Sequence, residues 1–415
     1  MGLGGTLVPL RQRPFRLLWL GRVASAAGDA LVPVALAFAV LAVGHSTIAL
    51  GGVLAAFMGS RVVFTLVGGV IADRLPRRAV MLACDLVRAV VEAFTAAMLL
   101  TGHMTLPLFF VTAAFFGAAS AFFGPASDGL VPQTIRPEDL QPANALLNIS
   151  RNALNVFGPA VSGALIALAG TGWVFAIDAA SFVASAFFLV QLKVPEHARA
   201  ERSRFLAEVR EGFREVSSRA WVRAPIVGFA LSNFCLAAMI VLGPPIFRDH
   251  FHGARDWGIV SAAGAVGAIL GSLASVRLRP RRPISACFAA FMLIALPLAA
   301  LAGPLPAAAI ALAWAIGTGS VALGNTWWET TLQRDIPPAV YARVRSYDLL
   351  VSFIFMPLGM VVFPLIARSL GYGWTLLGAA VACAVTNLVV ALVPGVQQVS
   401  EPTMIARAEP EPARV

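Results

Sequence analysis

Charge is scarce in this chain, and one kind is nearly missing. Asp, Glu, Lys and Arg together make up 13% of 415 residues, and Lys occurs once, at Lys193. A soluble protein of this length would need far more polar surface to cover itself. Histidine is confined to His45, His103, His197, His250 and His252, outside the apolar runs. Only His250 and His252 are neighbours, without the carboxylates a metal site would need. The four cysteines, Cys84, Cys235, Cys287 and Cys383, lie far apart inside apolar runs and show no paired spacing, which argues against disulfides and metal ligation. No Gly-x-x-x-x-Gly-Lys stretch is present, so ATP is not used directly through that motif. No catalytic constellation, metal or cofactor is expected, and an ion gradient is the remaining usual source of energy.

What is present is apolar. Hydrophobic residues reach 59% and mean hydropathy is +0.81. They come in blocks of about 20 residues, the length of a membrane-crossing helix. Lipid offers the backbone no hydrogen-bond partner, so such blocks must be helical. The expected fold is therefore all-α and integral to the membrane, with twelve spans. Six lie near Phe15–Leu41, Ile48–Ile71, Ala79–Leu100, Leu106–Leu130, Ala143–Ala169 and Trp173–Leu192. Six more lie near Val222–Phe247, Trp257–Val276, Ile284–Leu301, Leu305–Trp328, Leu349–Ile366 and Trp374–Val393. Arg11, Arg13 and Arg16 before the first run imitate a signal peptide. That run is too long, and Asp29 interrupts it, so it reads as a retained helix.

The formal charge of +10 has a one-sided distribution. Sorted by alternate ends of the spans, 24 of the 31 Lys and Arg fall on one side and 3 on the other, with Arg22, Arg61, Arg88 and Arg151 inside spans. This asymmetry is the positive-inside pattern and puts both termini in the cytoplasm of a multi-pass plasma (inner) membrane protein. The basic excess is topology rather than a nucleic-acid footprint.

Two landmarks recur about 200 residues apart. Gly68-Gly69-Val70-Ile71-Ala72-Asp73-Arg74-Leu75-Pro76-Arg77-Arg78 follows the second span, and Gly271 to Arg282 follows the eighth. Asp128-Gly129-Leu130-Val131-Pro132-Gln133 follows the fourth, and Glu329-Thr330-Thr331-Leu332-Gln333-Arg334 the tenth. This register implies two parallel six-helix repeats with a binding cavity between them. Residues 1–192 form the first half and 222–394 the second. Between them, 193–221 carries Phe205, Val209, Phe213 and Val216 at helical spacing and reads as an amphipathic surface helix. Residues 395–415 read as a disordered cytoplasmic tail.

The stretch Gly69-x-x-x-Asp73-Arg74-x-Pro76-Arg77-Arg78 resembles the loop signature of the major facilitator superfamily, with Pro76 where that signature has Gly. Phe15-Arg16-Leu17-Leu18-Trp19-Leu20-Gly21 with Gly28-Asp29, the Val131-Pro132 to Asn144-Ala145-Leu146 run, and Leu332-Gln333 to Pro337-Pro338 are similar to one branch, that of enterobactin exporters and macrolide efflux proteins. The resemblance implies alternating access and a cytoplasmic gate at Gly69, Asp73, Arg74, Arg77 and Arg78. Asp128 and Glu329 are expected to join that gate by pairing with inner-loop arginines when the cytoplasmic side is closed, Arg343 and Arg345 being available. Gly158-Pro159-x-x-x-Gly163 is similar to part of an exporter motif, without its longer glycine ladder.

Ionisable groups within spans are costly unless they face a cavity or a partner. Arg22, Ser25 and Asp29 share one helix face, and Arg61 is the expected charge partner of Asp29. Asn148, Arg151, Asn152 and Asn155 form a stripe on the fifth span that either packs against other helices or lines the pathway. Asn233 and Asn325 are further cavity candidates, together with Trp327, Trp328, Phe122 and Phe123, although for any single aromatic ordinary packing or interfacial anchoring is the stronger reading. Asp85 and Arg88, one turn apart near the cytoplasmic end of the third span, are expected to pair locally or to support the Asp73 loop. The resemblance places the third and sixth helices outside the cavity, which implies structural pairing for Glu92 and Asp178; Asp348 is a further candidate.

The expected function is secondary active transport, with protons as coupling ion, Asp29 as the proton-linked carboxylate, and a small amphiphilic substrate (drug, siderophore or secondary metabolite) moved outward by a monomer. Import or uniport on the same fold is one alternative. A non-transporting sensor or a polytopic enzyme is another.

Overall fold

A computed structural model describes residues 8–194, 214–303 and 305–400, with every side chain there except those of 66–74, 338, 339 and 342. The expectations for the Gly69, Asp73 and Arg74 side chains, for most of the 193–221 surface helix and for the 401–415 end of the tail fall outside that description. Within the supposed tail, Pro394–Gln397 forms a helical turn.

The first half consists of α1 (Arg13–Asp29), α2 (Val32–Gly44), α3 (Thr47–Arg74), α4 (Arg77–Leu100), α5 (Leu106–Leu130), α6 (Leu140–Ala169) and α7 (Thr171–Gln191). The second consists of α8 (Ala220–His250), α9 (Ala254–Arg277), α10 (Pro283–Phe291), α11 (Ala295–Ala302), α12 (Ala307–Asp335), α13 (Pro338–Ile354), α14 (Met356–Leu392) and α15 (Pro394–Gln397). No strand occurs among the described residues. The protein is an all-helical, multi-pass membrane bundle. Its outer surface keeps large apolar side chains exposed, such as Leu168 at 85% and Trp374 at 74%, which only an apolar medium tolerates in such number.

Ten helical stretches among the described residues are long and apolar enough to cross a membrane. One of them, Arg13–Gly44, unites α1 and α2. Pro33 has no N–H to return to the Asp29 carbonyl, so the helix breaks after Asp29. Another, Arg343–Leu392, is 50 residues long and turns at Gly371, where φ is 79° and ψ is 162°, a backbone setting that favours glycine. α4 is excluded from the ten, and it carries Arg77, Arg78, Asp85, Arg88 and Glu92. Counting α4 as a crossing and Gly371 as a turn between two crossings brings the number to twelve.

Packing repeats between the halves. α3 lies against α5 as α9 lies against α12, and α1 against α7 as α8 lies against α14. The halves meet through α6 with α9 and α3 with α14. These contacts concentrate at the end opposite the basic loops. There, a Cβ on Gly163 would stand 2.5 Å from the Ala254 carbonyl oxygen, and one on Gly258 would stand 2.4 Å from that of Pro159. No side chain fits in that seam. Thr47 and Tyr372 hydroxyls hydrogen-bond at 2.8 Å across the same end, and the Arg248 guanidinium donates to the Leu41 carbonyl at 3.5 Å.

Candidate functional site

A cavity of about 700 Å³ lies between the halves. The closed seam caps one end. Toward the basic end it opens, and there the Asp128 side chain is 76% exposed. Among the described residues its polar lining comes from the first half alone: Arg22, Ser25, Asp29, Arg61, Arg88, Glu92, Thr95, Asp128, Asn148 and Arg151 among others. The second half adds Ile240, Met356 and Met360, all apolar.

Three helices bring polar groups to one place by the same spacing. Arg22, Ser25 and Asp29 stand at i, i+3 and i+7 on α1, Asp85, Arg88 and Glu92 on α4, and Asp178, Ser181 and Ser185 on α7. Such positions share a helix face, and α7 packs on both α1 and α4. The Arg88 guanidinium lies at the centre, 3% exposed. It donates to the Asp85 carboxylate at 2.5 Å and to that of Asp29 at 3.3 Å. It also lies between the rings of Phe123 and Phe182, 4.3 and 4.2 Å from their centroids. Ring faces stabilise a desolvated cation. The other Asp85 oxygen accepts from the Ser185 hydroxyl at 2.6 Å. Asp29 is the half-exposed member, 38% open and lining the cavity.

The pairing differs from the sequence expectation. Arg88, not Arg61, holds Asp29; Arg61 lines the cavity and acts on Asp29 only through space. The local Asp85–Arg88 contact is present but extends to Asp29. Glu92 and Asp178 have no ion-pair partner among the described residues: Glu92 lines the cavity with its Oε2 unpartnered, and Asp178 has an unpartnered Oδ2. Structural pairing therefore does not describe either residue, and Glu92 is not outside the cavity. The signal that could have found them is the shared i, i+3, i+7 spacing.

At the basic end, which is open here, Asp128 pairs with Arg22 of α1 at 3.1 Å. Glu329 pairs with Arg345, which also reaches Asp348 at 2.5 Å. The indole of Trp328 donates to Asp348 at 3.0 Å. Arg77 donates to the Gly129 carbonyl, and Arg78 to those of Leu189 and Val190 at 2.7 and 2.5 Å. Both serve carbonyls at the C-terminal ends of helices, where cations are favoured.

Asn148 and Arg151 line the cavity, and the Arg151 guanidinium donates to the Asn148 amide oxygen at 3.2 Å. Asn152 and Asn155 instead line a second gap of about 240 Å³ against α9. Asn233 and Asn325 do not line the cavity; the Asn233 amide donates to the Ser352 carbonyl at 2.9 Å. Of the aromatic candidates Phe123 lines the cavity, while Trp328 is buried and Trp327 donates to the Leu278 carbonyl at 2.9 Å. A Cβ on Gly158 would stand 2.5 Å from that of Ala30, so the Gly158-Pro159-x-x-x-Gly163 stretch connects the α1–α2 break to the closed seam.

A family model described as transmembrane secretion effector matches residues 4–413. The chain belongs to this family. It is a membrane transporter of the major facilitator type, and its relatives are transporters rather than enzymes. An enterobactin exporter of Escherichia coli O1:K1 / APEC is 24% identical over 389 residues, covering 88% of this chain and 90% of that one. The MFS-type transporter YkuC of Bacillus subtilis (strain 168) is 23% identical over 328 residues, covering 74% and 75%. The fold resembles that of the nucleoside transporter NupG, with a TM-score of 0.70 at 15% identity over 91% of this chain and 98% of that one. It also resembles a bacterial homologue of the iron transporter ferroportin in an inward-facing state, with a TM-score of 0.69 at 19% identity over 92% and 99%.

Proposed function

We propose that this family member is a proton-coupled exporter of small amphiphilic compounds that works by alternating access. The single observation that carries the reading is the cavity between the halves, with the half-exposed Asp29 on its wall bound to a buried Arg88. The seam at one end and the opening at the basic end describe one of the two states a rocking carrier needs. With the basic loops cytoplasmic by the positive-inside rule, this is the inward-open state and both termini are cytoplasmic. Residues 1–192 and 222–394 are the two rocking bodies, and the monomer is the working unit. The gate comprises Gly69, Asp73, Arg74, Arg77, Arg78, Asp128, Glu329, Arg343 and Arg345, which would close the basic end in the other state.

The cavity suits an amphiphile because its polar wall faces an apolar one. Outward direction is supported by the secretion description of the family and by the enterobactin exporters among the relatives. Proton coupling is supported by the Asp29–Arg88 contact. A proton on Asp29 would remove its charge and free Arg88 to turn wholly toward Asp85, so proton binding and the ion pair that ties α1 to α4 are linked.

The test is accumulation of a fluorescent amphiphilic dye in inside-out membrane vesicles with and without an imposed pH gradient. Gradient-dependent uptake is expected for the unaltered protein, with at least a tenfold loss in Asp29→Asn. Uptake that survives in Asp29→Asn would remove Asp29 from the coupling role. Accumulation of the dye by intact cells, dependent on the protein, would favour import instead.

A further inference from the structure

Four carboxyl groups surround the buried guanidinium of Arg88. Asp85 and Asp29 take its N–H groups. Glu92 and Asp178 do not, although both are buried, at 4% and 0% exposure. Each has an oxygen with no hydrogen-bond donor among the described residues. Asp178 receives only the Ser181 hydroxyl at 3.3 Å, and that hydroxyl lies closer to the Asp178 carbonyl, at 2.7 Å. An ionised carboxylate buried without a partner is among the costliest groups a membrane protein can hold, whereas a protonated one is neutral and carries its own donor.

The site is built rather than accidental. Gly28 precedes Asp29, and a Cβ there would fall 2.0 Å from Asp178 Oδ1. The missing side chain on α1 is what lets the Asp178 carboxyl lie against that helix. Asp29, Glu92 and Arg88 act on Asp178 through space, and Asp29 and Arg88 act on Glu92. The charged groups facing this pair are Asp29 from α1, Arg61 from α3, and Asp85 and Arg88 from α4. α5 offers Thr112, Phe116 and Ser120 here, its Asp128 being bound to Arg22 nearer the mouth. Arg88 contacts Asp85 and Asp29, and Arg61 acts on Asp29 through space, so these two cations are matched by those two carboxylates, and Glu92 and Asp178 have no ion-pair contact among the described residues.

We propose that Glu92 and Asp178 form a second proton-holding site, behind Asp29 and reached from the cavity through Glu92. This rests on the proton-coupled reading of the protein, and adds where the protons reside. A proton arriving from cavity water bonds to the Glu92 carboxylate oxygen and is returned to water from the same oxygen when the cavity faces the other side. Asp178 keeps its proton deeper between α4 and α7 and fixes the neutral form of the cluster. Asp29 then exchanges Arg88 for a proton beside a neutral neighbour instead of beside a second negative charge.

Infrared difference spectroscopy on the purified protein in liposomes needs no substrate. At neutral pH the unaltered protein should show the carbonyl stretch of protonated carboxylic acids, shifted on exchange into heavy water. Glu92→Gln should lose the fast-exchanging part of that band, and Asp178→Asn the slow part. Asp29→Asn should leave both. Absence of the band from the unaltered protein overturns the proposal even if a variant fails to fold. So does persistence of its fast-exchanging part in Glu92→Gln, or of its slow part in Asp178→Asn. A band lost only in Asp29→Asn would also overturn it while leaving Asp29 as the coupling residue. The vesicle assay on Asp29→Asn judges the proton-coupled reading separately.

Discussion

The two halves share a packing plan but differ in what they bury. The first half has Asp85, Arg88, Glu92 and Asp178 in its interior. The second half buries mainly neutral groups, Asp348 being its one buried charge among the described residues: Ser232 and the Asn387 amide bond to each other at 3.0 Å, and that amide also donates to the Cys383 carbonyl at 2.8 Å. Around them Phe229 stacks on Phe288 at 4.9 Å and touches Phe291 and Trp328. The buried acid of this half, Asp348, is paired with Arg345 beside Glu329 toward the basic end, and Arg248 pairs with Asp249 at the opposite end of α8. A duplicated scaffold can thus divide labour. One half buries a cluster of acids around a cation, and the other supplies an apolar wall and a largely neutral core.

The largest expected effect concerns Arg88. Arg88→Gln strands Asp85 and Asp29 without their cation, and breaking a buried pair on one side costs about 3–5 kcal/mol. Thermal unfolding in detergent should show a loss of that order, accompanied by loss of transport. Asn387→Leu is the matched probe in the second half. It removes neutral hydrogen bonds and leaves the Ser232 hydroxyl to be satisfied otherwise, a cost of about 1–3 kcal/mol. Equal losses in the two variants would erase the distinction between a charged and a neutral core.

Next in size is the seam. Gly258→Val forces atoms toward the Pro159 carbonyl, and overpacking of this kind costs about 1–3 kcal/mol. The cost falls only on the state in which α6 and α9 touch at the end opposite the basic loops. Spin labels at Leu168 and Ile259, both exposed, should report a larger share of long distances in this variant than in a Gly258 background. An unchanged distance distribution would mean that the seam does not open.

How far the sequence alone reaches can be judged from particular residues. The spans are legible because lipid imposes length and apolarity on each separately. The repeated Asp128 and Glu329 landmarks are legible because duplication leaves them in register. The partner of Asp29 is not. Arg61 and Arg88 both lie near the middle of a span, and choosing between them needs the rotation of α4 and the break that Pro33 makes after Asp29. For Glu92 a family-level rule about the third helix outweighs the spacing of its own neighbours and points away from the cavity it lines; Asp178 lies outside the cavity as that rule has it, but without the ion pair expected of it. Polarity alone directs Asn233 and Asn325 to the cavity, and polarity on an inward face does not say which neighbour receives it.

The smallest effect is expected at the mouth, and it tests whether charge matters there as it does inside. Arg22 and Asp128 form a pair at 3.1 Å in which the acid is 76% exposed. Water and salt screen such a pair, so its contribution to stability is about 0–1 kcal/mol. Asp128→Asn should therefore leave thermal unfolding nearly unchanged, with the small remaining difference disappearing at high salt. The same substitution also removes one acid of the proposed gate, which matters only when the basic end is closed. Its effect on the balance between open and closed states should then exceed its effect on stability. A stability loss as large as that of Arg88→Gln would show instead that the pair at the mouth belongs to the same buried network, and that the first half is charged along its whole inner length.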